Sequence, residues 1–366
     1  MAVTLADLDL VELGEHVASW GFKPSHAARV LRRFYAGQSW TGAPGHALPD
    51  GLLQRLNTDL AGTAATVAQR QQAEDGTTKL LLRLGDGRTV ETVLLPDFRP
   101  DRAAGCLSSQ VGCAMGCDFC ATTRTGWERN LTSGEIIEQF LALRREARSV
   151  GRALKTVVFM GMGEPMLNLD AVLPAIRRMA DNALGGLGWR QITVSTVGIV
   201  PGIDALAASG LPVQLAVSLH APDDVTRARL LPMGRRHAIG EILAAVRRFQ
   251  ESRGRPVIIQ YCLLAGVNDS VEQAEQLAAL LEPYRVHVNL LRYNATGVGL
   301  RGAEYAPASV EVTLRFARIL QERGLVVHVR RSRGPDIDAA CGQLRYREAA
   351  KEAGGNGYLA GAKTTA

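Results

Sequence analysis

Gly112-Cys-Ala-Met-Gly-Cys-Asp-Phe-Cys-Ala121 contains three cysteines, Cys113, Cys117 and Cys120, spaced as Cys-x3-Cys-x2-Cys. A structural zinc site closes its tetrahedron with four ligands, and cubane iron–sulfur clusters also usually take four thiolates. Three thiolates in one short run therefore favour a cluster with one iron left open to bind another molecule. A zinc site completed by a distant Cys or His, or a set of unrelated buried thiols, remains an alternative interpretation of this spacing.

An open iron of this kind is typical of enzymes that make radicals from S-adenosylmethionine. The amino and carboxylate groups of the cosubstrate chelate the open iron, and one electron then cleaves the cosubstrate to a 5′-deoxyadenosyl radical. The spacing of the three cysteines thus predicts a redox enzyme with a cluster and a bound sulfonium cosubstrate.

Downstream of Pro100, short β-rich runs alternate with amphipathic helical stretches. This alternation predicts βαβ units, a parallel sheet and a site at the C-terminal ends of the strands. We therefore predict an α/β fold, a partial parallel (β/α) barrel of the radical S-adenosylmethionine type, with a doubly wound sheet as the alternative. One helix is predicted to begin at the capping box Thr132-Ser-Gly-Glu135. The predicted strands are Leu107–Val111, Thr156–Met160, Gln191–Thr196, Val213–Leu219, Val257–Leu264, Val286–Leu291 and Leu325–Val329.

Two smaller units are predicted before the barrel. Residues 1–60 are predicted to form a helical accessory domain, because apolar residues recur at helical spacing after Pro24-Ser25. Residues 61–97 are predicted to form a β-hairpin linker that turns at Gly85-Asp-Gly-Arg88. The barrel domain is then predicted to span residues 98–346. Residues 347–366 are predicted to be a tail that is disordered at its Gly-, Ala- and Thr-rich end.

Composition limits the class of protein. The 366 residues are 46% hydrophobic and carry a formal net charge of +6. The sequence contains no run of 18 or more apolar residues, so no transmembrane helix is predicted. The N-terminus lacks the basic region of a secretory signal. Six cysteines, three of them clustered, fit a reducing cytosol better than a disulfide scaffold, so we expect a cytoplasmic protein.

Arginines are concentrated in two stretches. Eight arginines stand against two glutamates between Arg227 and Arg255, and Arg330, Arg331 and Arg333 precede Cys341. Arginine suits bidentate phosphate contacts, so these stretches are candidate RNA contacts. For the first stretch, solvated helix faces explain the charges equally well.

Other polar residues stand at predicted strand ends. Met160-Gly-Met-Gly-Glu-Pro165 offers the Glu164 carboxylate to an ammonium group, and its glycines let the backbone approach a ligand. Any one such residue is more often a satisfied polar group, but a barrel converges its strand ends on one site. Cys106 and Cys341 are placed where chemistry could reach them, whereas Cys262 is interpreted as a small buried hydrophobe. The remaining strand-end candidates are Ser195, Ser218, His220 and Asn294.

Four segments, in this order, resemble the RlmN/Cfr family of radical S-adenosylmethionine RNA methyltransferases, and most of all its RlmN branch. They are Cys106–Cys120, Phe159–Pro165, Ser195–Gly202 and Asp336–Leu344, and the resemblance covers nearly the whole chain. It implies a [4Fe-4S] cluster on Cys113, Cys117 and Cys120. It also implies a cosubstrate site formed by Gly163, Glu164, Ser195, Ser218, Leu219, His220 and Asn294.

The resemblance also implies a reaction path. Carbon 2 of adenine is not nucleophilic, so direct methyl transfer from a sulfonium would fail. In the family, one S-adenosylmethionine methylates a cysteine that matches Cys341, and a second is cleaved to activate that methyl group, so two are used per turnover. The thiomethylene radical adds to the base, and the resulting thioether is resolved by the cysteine that matches Cys106, through a disulfide with Cys341. Glu91 matches the proposed proton acceptor.

The implied substrate is an adenine of 23S rRNA, methylated at carbon 2, together with the adenine 3′ to the tRNA anticodon. A flavodoxin or ferredoxin as electron donor and a monomeric state are expected as well. The family also contains a resistance enzyme that methylates carbon 8 of the same rRNA adenine, and His287–Asn294 resembles its pattern somewhat. Pro165 and the commoner housekeeping activity favour carbon 2. A zinc-dependent RNA-binding module and a sulfur-inserting radical enzyme are the alternatives from other classes.

Overall fold

Residues 3–38, 48–60, 63–232 and 236–330 are described by the structure, a computed structural model. The strands are β1 (Ala65–Gln72), β2 (Thr78–Leu84), β3 (Thr89–Pro96), β4 (Arg102–Cys106), β5 (Gln110–Gly112), β6 (Trp127–Asn130), β7 (Ala153–Phe159), β8 (Ile192–Thr196), β9 (Gln214–Ser218), β10 (Val257–Leu263), β11 (Val286–Arg292) and β12 (Val326–Arg330). The helices are α1 (Leu10–Ser19), α2 (His26–Ala36), α3 (Asp50–Asp59), α4 (Ser133–Ser149), α5 (Leu169–Ala180), α6 (Val200–Ala208), α7 (Asp224–Leu230), α8 (Ile239–Arg253), α9 (Val271–Leu281) and α10 (Val310–Glu322).

Ten strands form one sheet in the order β1-β2-β3-β4-β7-β8-β9-β10-β11-β12. Every neighbouring pair from β4 to β12 is parallel, and each connection between them contains at least one helix. Within the described residues β12 pairs only with β11, so the sheet stays open at that edge. This mostly parallel sheet confirms the predicted α/β class and the partial barrel.

The predicted hairpin continues the barrel sheet. Its two strands are β2 and β3, paired antiparallel, and β3 pairs antiparallel with β4. Strand β1 adds a further antiparallel member beside β2. The division into a helical domain, a linker and a barrel remains a prediction.

The first barrel strand lies elsewhere than predicted. The prediction of a strand over Leu107–Val111 was wrong, because β4 ends at Cys106 and only the short strand β5 follows it. A Cβ at Gly105 would lie 2.8 Å from the Leu143 side chain of α4, so small residues let this helix pack directly on the sheet. A strand built from small residues carries little hydrophobic signal. The other six predicted strands coincide with β7 to β12 to within three residues at each end.

Helix starts follow the predicted capping chemistry. At the start of α4 the Thr132 hydroxyl accepts from the Glu135 N–H at 3.1 Å, and the Glu135 carboxylate accepts from the Thr132 N–H at 2.9 Å. Asp7 joins this cap by accepting from the Thr132 hydroxyl and from the Gly134 N–H. Across the described ranges, no helix is both long and apolar enough to cross a membrane. The predicted tail, 347–366, lies outside those ranges.

Candidate active site

The loop that follows β5 holds the three cysteines on a fixed backbone. Cys113 and Cys117 are buried, and Cys120 is half-buried. The Cys113 N–H donates to the Gly126 carbonyl at 2.9 Å. The Thr123 hydroxyl donates to the carbonyls of Cys117 and Cys120, at 3.1 and 2.8 Å. We call this segment, residues 113–126, the cysteine loop.

Burial changes the acid–base behaviour of these thiols. It raises the pKa of Cys113 to about 12 and the pKa of Cys117 well above its usual range, and Glu164 adds to both shifts. Hydrogen bonds from the Met115 and Gly163 amides oppose the shift at Cys113. Such thiols stay protonated at neutral pH and become thiolates when a cationic metal group binds them. Three soft thiolate donors on one loop fit an iron–sulfur cluster.

The glycine-rich loop Met160–Pro165 follows β7 and rests on the segment before the cysteine loop. The Gln110 N–H donates to the Met162 carbonyl at 3.2 Å, and the Gln110 side chain accepts from the Glu164 N–H at 2.8 Å. Gly163 has a φ of +97°, and a Cβ there would lie 2.7 Å from the Gln110 backbone nitrogen. Only glycine allows this approach, which fixes Glu164 beside the cysteines.

The Glu164 carboxylate is buried among backbone donors. One oxygen accepts from the Met166 N–H at 3.1 Å, and the other accepts from the Val197 N–H at 2.8 Å. Burial raises the pKa of Glu164 to about 7, and no basic side chain of the described residues contributes to the shift. A bound ammonium group would restore the ionised form. This carboxylate therefore fits the amino group of an amino acid, as the sequence predicted for S-adenosylmethionine.

His220 follows β9 in an unusual backbone conformation. Its φ is +60°, the only positive φ of a non-glycine residue in the described ranges. Its Nδ1 accepts from the Cys262 N–H at 2.9 Å, and its ring lies edge-on to Phe119 with centroids 5.1 Å apart. Burial lowers the pKa of His220 to about 3, and the charge of Arg227 adds to this. The ring is therefore neutral, with its proton on Nε2, where it can donate to a ligand.

Arg227 belongs to the site, although its arginine-rich stretch had suggested RNA contacts or solvated helix faces. Its side chain is 1% exposed, and its guanidinium donates to the Val197 carbonyl. Burial lowers the pKa of Arg227 to about 10, and the charge of Asp224 opposes the shift. The N–H of Val197 binds Glu164, so the backbone of one residue, Val197, connects this buried cation with the buried carboxylate.

The loop that follows β11 is docked on the cysteine loop through Asp118. The Asp118 carboxylate accepts from the Arg301 N–H at 2.9 Å and from the Tyr305 hydroxyl at 2.7 Å. Asn294 stands at the start of this docked loop. Asp118 stands between Cys117 and Cys120 in the chain. Its hydrogen bonds therefore fix the position of the Asn294 loop relative to these two cysteines.

Glu91 and Cys106 lie on one face of the sheet. Val93 of β3 pairs with Cys106 of β4, and Glu91 is two residues away along β3, so its side chain points to the same face. The Ser108 hydroxyl donates to the Glu91 carbonyl at 2.6 Å. The structure thus brings Glu91 beside the segment that leads from Cys106 to the cysteine loop.

Lys79 forms an ion pair with Glu91, with 3.0 Å between Nζ and Oε2. The two side chains are 0% and 2% exposed, so the pair is fully buried. The sequence patterns did not single out Lys79. Its signal was a lysine at the start of the largely apolar strand β2, where a buried lysine needs a partner.

Replacing Lys79 with methionine would leave the Glu91 charge buried without its cation. We expect Lys79→Met to lower the free energy of unfolding by about 3–5 kcal/mol, as is typical when one partner of a buried pair is removed. Urea denaturation measures this change. The double variant Lys79→Met, Glu91→Gln removes both charges and is expected to recover most of the loss. Equal losses in the single and double variants would contradict this explanation.

The predicted cosubstrate residues stand at the C-terminal ends of neighbouring strands. Gly163 and Glu164 follow β7, Ser195 lies in β8, Ser218 ends β9, Leu219 and His220 follow it, and Asn294 follows β11. The cysteine loop meets this end through the contact of Phe119 with His220. Cys341, Arg331 and Arg333 lie outside the described residues, so their roles stay predictions.

Comparison with known proteins shows the family to which the fold belongs. Residues 107–281 match the model of the Radical SAM superfamily. A protein from Opitutus terrae, named probable dual-specificity RNA methyltransferase RlmN 1, is 66% identical over 347 residues, which cover 95% of this chain and 98% of that protein. A similarly named protein from Symbiobacterium thermophilum is 41% identical over 355 residues, covering 96% of this chain and 93% of its own length. The crystal structure of a radical SAM methyltransferase from Sphaerobacter thermophilus is 45% identical, with a TM-score of 0.87 and coverage of 93% and 98%.

The parallel sheet, the three-cysteine loop and the superfamily match define a radical S-adenosylmethionine enzyme. Such enzymes use a [4Fe-4S] cluster together with S-adenosylmethionine, as the cysteine spacing predicted. The identity to relatives over nearly their whole length shows that the chain belongs to the RlmN family.

Proposed function

We propose that this chain methylates carbon 2 of an adenine in 23S rRNA and of the adenine 3′ to the tRNA anticodon. The observation that carries the proposal is the meeting of Glu164, His220 and the cysteine loop at one end of the parallel sheet. The names of the relatives, dual-specificity RNA methyltransferases, support RNA as the substrate.

Each residue of the site has its own role in binding the cosubstrate. When bound, the cluster supplies the electron that cleaves S-adenosylmethionine to a carbon radical. Glu164 accepts the ammonium group of the cosubstrate, and its ordered backbone donors keep the carboxylate oriented. The Nε2 proton of His220 is available as a donor, because Nδ1 is occupied by the Cys262 N–H.

Two cysteines and one carboxylate complete the proposed reaction. Cys341 receives a methyl group from one S-adenosylmethionine and carries it to the base, so two molecules are used per turnover. Glu91, which forms an ion pair with Lys79, accepts the proton that leaves carbon 2. Cys106 then attacks the Cys341 sulfur and forms the S–S bond of a disulfide. The bond between that sulfur and the methylene carbon breaks with its electron pair left on the carbon, which takes up a proton as the methylated base is released. Electron supply by flavodoxin or ferredoxin, a cytoplasmic location and a monomeric state belong to the same proposal.

Peptide mass spectrometry over Cys341 tests the proposal directly. The chain is reconstituted anaerobically with iron and sulfide and incubated with S-adenosylmethionine. A brown protein that gains one methyl group on Cys341 is the expected result. A brown protein with Cys341 unmodified would overturn the methyl-carrier role, and zinc in place of iron would overturn the radical chemistry as well.

Replacing Cys106 with alanine tests the resolving step. With RNA and S-adenosylmethionine, Cys106→Ala is expected to accumulate a covalent protein–RNA adduct that a denaturing gel detects. Cys262→Ala, which changes a buried cysteine on β10, is the matched control and is expected to accumulate none. Digestion of the wild-type product to nucleosides is expected to yield 2-methyladenosine. Finding 8-methyladenosine would contradict the proposed carbon.

A further inference from the structure

A polar row crosses three strands of the barrel. Gln260 of β10 pairs in register with Ser218 of β9 on one side and with Asn289 of β11 on the other. Residues in register on neighbouring parallel strands point to the same face and stand about 4.8 Å apart. Ser218, Gln260 and Asn289 therefore form a continuous polar row.

This row faces the inside of the barrel. The next residue of β10, Tyr261, points to the opposite face, where its ring lies 5.3 Å from that of Phe316 on α10. Cys262, on the same face as Gln260, meets His220, which contacts Phe119 of the cysteine loop. The row therefore lies two residues before Cys262 along β10, close to the contact of His220 with the cysteine loop.

Most of the fully buried amides among the described residues have hydrogen-bond partners, and the one amide oxygen besides that of Gln260 that is buried without a partner belongs to the half-buried Gln71 on the outer strand β1. Six Asn and Gln side chains are buried among the described residues, and four of them make at least two hydrogen bonds each: Gln110, Gln139, Asn168 and Asn268. Gln260 differs, because its Oε1 is buried without a hydrogen-bond partner among these residues. A buried acceptor left unsatisfied carries an energetic cost, which a ligand that donates a hydrogen bond would remove.

We propose that Gln260 and Asn289 bind the edge of the target adenine of the RNA. A side-chain amide matches adenine, because its carbonyl accepts from the 6-amino group while its NH2 donates to a ring nitrogen. A base in RNA becomes accessible to such contacts when it is splayed out of its stack. In this arrangement Oε1 of Gln260 accepts from the 6-amino group, and Asn289 supplies the second polar contact. The proposal rests on the proposed function.

The position of the row favours the target base over the adenine of the cosubstrate. Most of the predicted cosubstrate residues lie on or after β7, β8 and β9, whereas the row extends from β9 toward the open edge at β12. The chain that leaves β12 at Arg330 reaches Cys341 eleven residues later. Asn289, the outermost residue of the row, lies on β11, next to this open edge and away from β7 and β8.

Atomic replacement in the RNA tests the contact. The substrate is the rRNA fragment whose methylated adenine has been mapped with the wild-type enzyme, prepared with adenine or with purine, which lacks the 6-amino group. We expect wild-type kcat/KM to favour adenine about tenfold, the usual size of such a contact. Gln260→Met is expected to methylate both RNAs equally slowly. Gln250→Met, which removes an amide on the outer helix α8, is expected to retain the wild-type preference.

A second variant and a binding measurement keep the test decisive. Asn289→Leu is expected to raise the KM for RNA about tenfold. Its affinity for S-adenosylmethionine, measured by equilibrium dialysis on the reconstituted protein, is expected to stay at the wild-type value. Weaker cosubstrate binding with unchanged KM for RNA would assign the row to the cosubstrate and overturn the proposal. Undiminished preference for adenine in Gln260→Met would also overturn it, whereas failure of the wild type to methylate any RNA would instead remove the proposed function.

Discussion

Replacing Cys117 with alanine is expected to abolish cluster binding and, with it, cleavage of S-adenosylmethionine. The thiol is buried in a loop whose backbone is already fixed, so its loss leaves the loop with two of its three predicted cluster ligands. Iron bound after anaerobic reconstitution is expected to fall from about four atoms per chain to background. Release of 5′-deoxyadenosine, followed by chromatography, is expected to fall to the level of the cluster-free protein.

Cys262→Ala is the matched control for this experiment. Cys262 is also a buried cysteine near the site, and burial raises its pKa to about 12, but it lies on β10 rather than on the cysteine loop. We expect it to keep full iron content. A Cys117→Ala protein that still binds a full cluster would show that Cys117 is not a ligand. Equal loss of iron in both variants would attribute the effect to general instability.

Replacing Glu164 with glutamine is expected to weaken S-adenosylmethionine binding about 30-fold or more, the usual cost of removing one partner of a buried charge pair. The amide leaves the ammonium group uncompensated, and its NH2 cannot accept from the Val197 N–H. Equilibrium dialysis on the reconstituted protein measures the loss. Glu138→Gln changes a buried carboxylate that binds Thr63 outside the site, and it is expected to bind the cosubstrate normally. Similar weakening in both variants would contradict the assigned role.

The pKa of Glu164 also predicts a pH dependence of stability. Burial raises it from 4.5 to about 7, so between these values the folded chain holds a proton that the unfolded chain has lost. The free energy of unfolding contributed by this group is therefore full below pH 4.5 and falls as pH rises, by about 3 kcal/mol in total. Glu164→Gln is expected to lack this decline, which urea denaturation across the same pH range would detect. Cosubstrate affinity is expected to rise with pH through about 7, because the ionised carboxylate binds the ammonium group.

Local sequence patterns predicted the parts of the site that depend on neighbouring residues. The cysteine spacing, the capping box at Thr132 and the polar strand ends were visible because each lies within one short segment. The strand β4 was misplaced, since Gly105 and its small neighbours replace the usual hydrophobic signal with close helix packing. Glu91 and Cys106 lie on different strands, and the register of β3 with β4, which brings them to one face, could not be predicted from either segment alone.

Buried charges were the main feature that local patterns missed. Lys79 and Arg227 are charged residues whose burial depends on partners far away in the chain, such as Glu91 and Val197. A helical pattern did contain one clue, because Arg227 lies three residues before the buried Leu230 and therefore on nearly the same face of α7. Net charge alone gave no means of separating this arginine from those on the surface.

Asp118 connects the cysteine loop with the surface of the protein. Asp118 stands between two cysteines of the loop, and its carboxylate holds the backbone of Arg301, which is exposed. The same hydrogen bonds join the interior of the cysteine loop to the surface of the protein. A disturbance of the exposed segment around Arg301 therefore acts on the position of the cysteines as well, so the surface constrains this site along with its buried side chains.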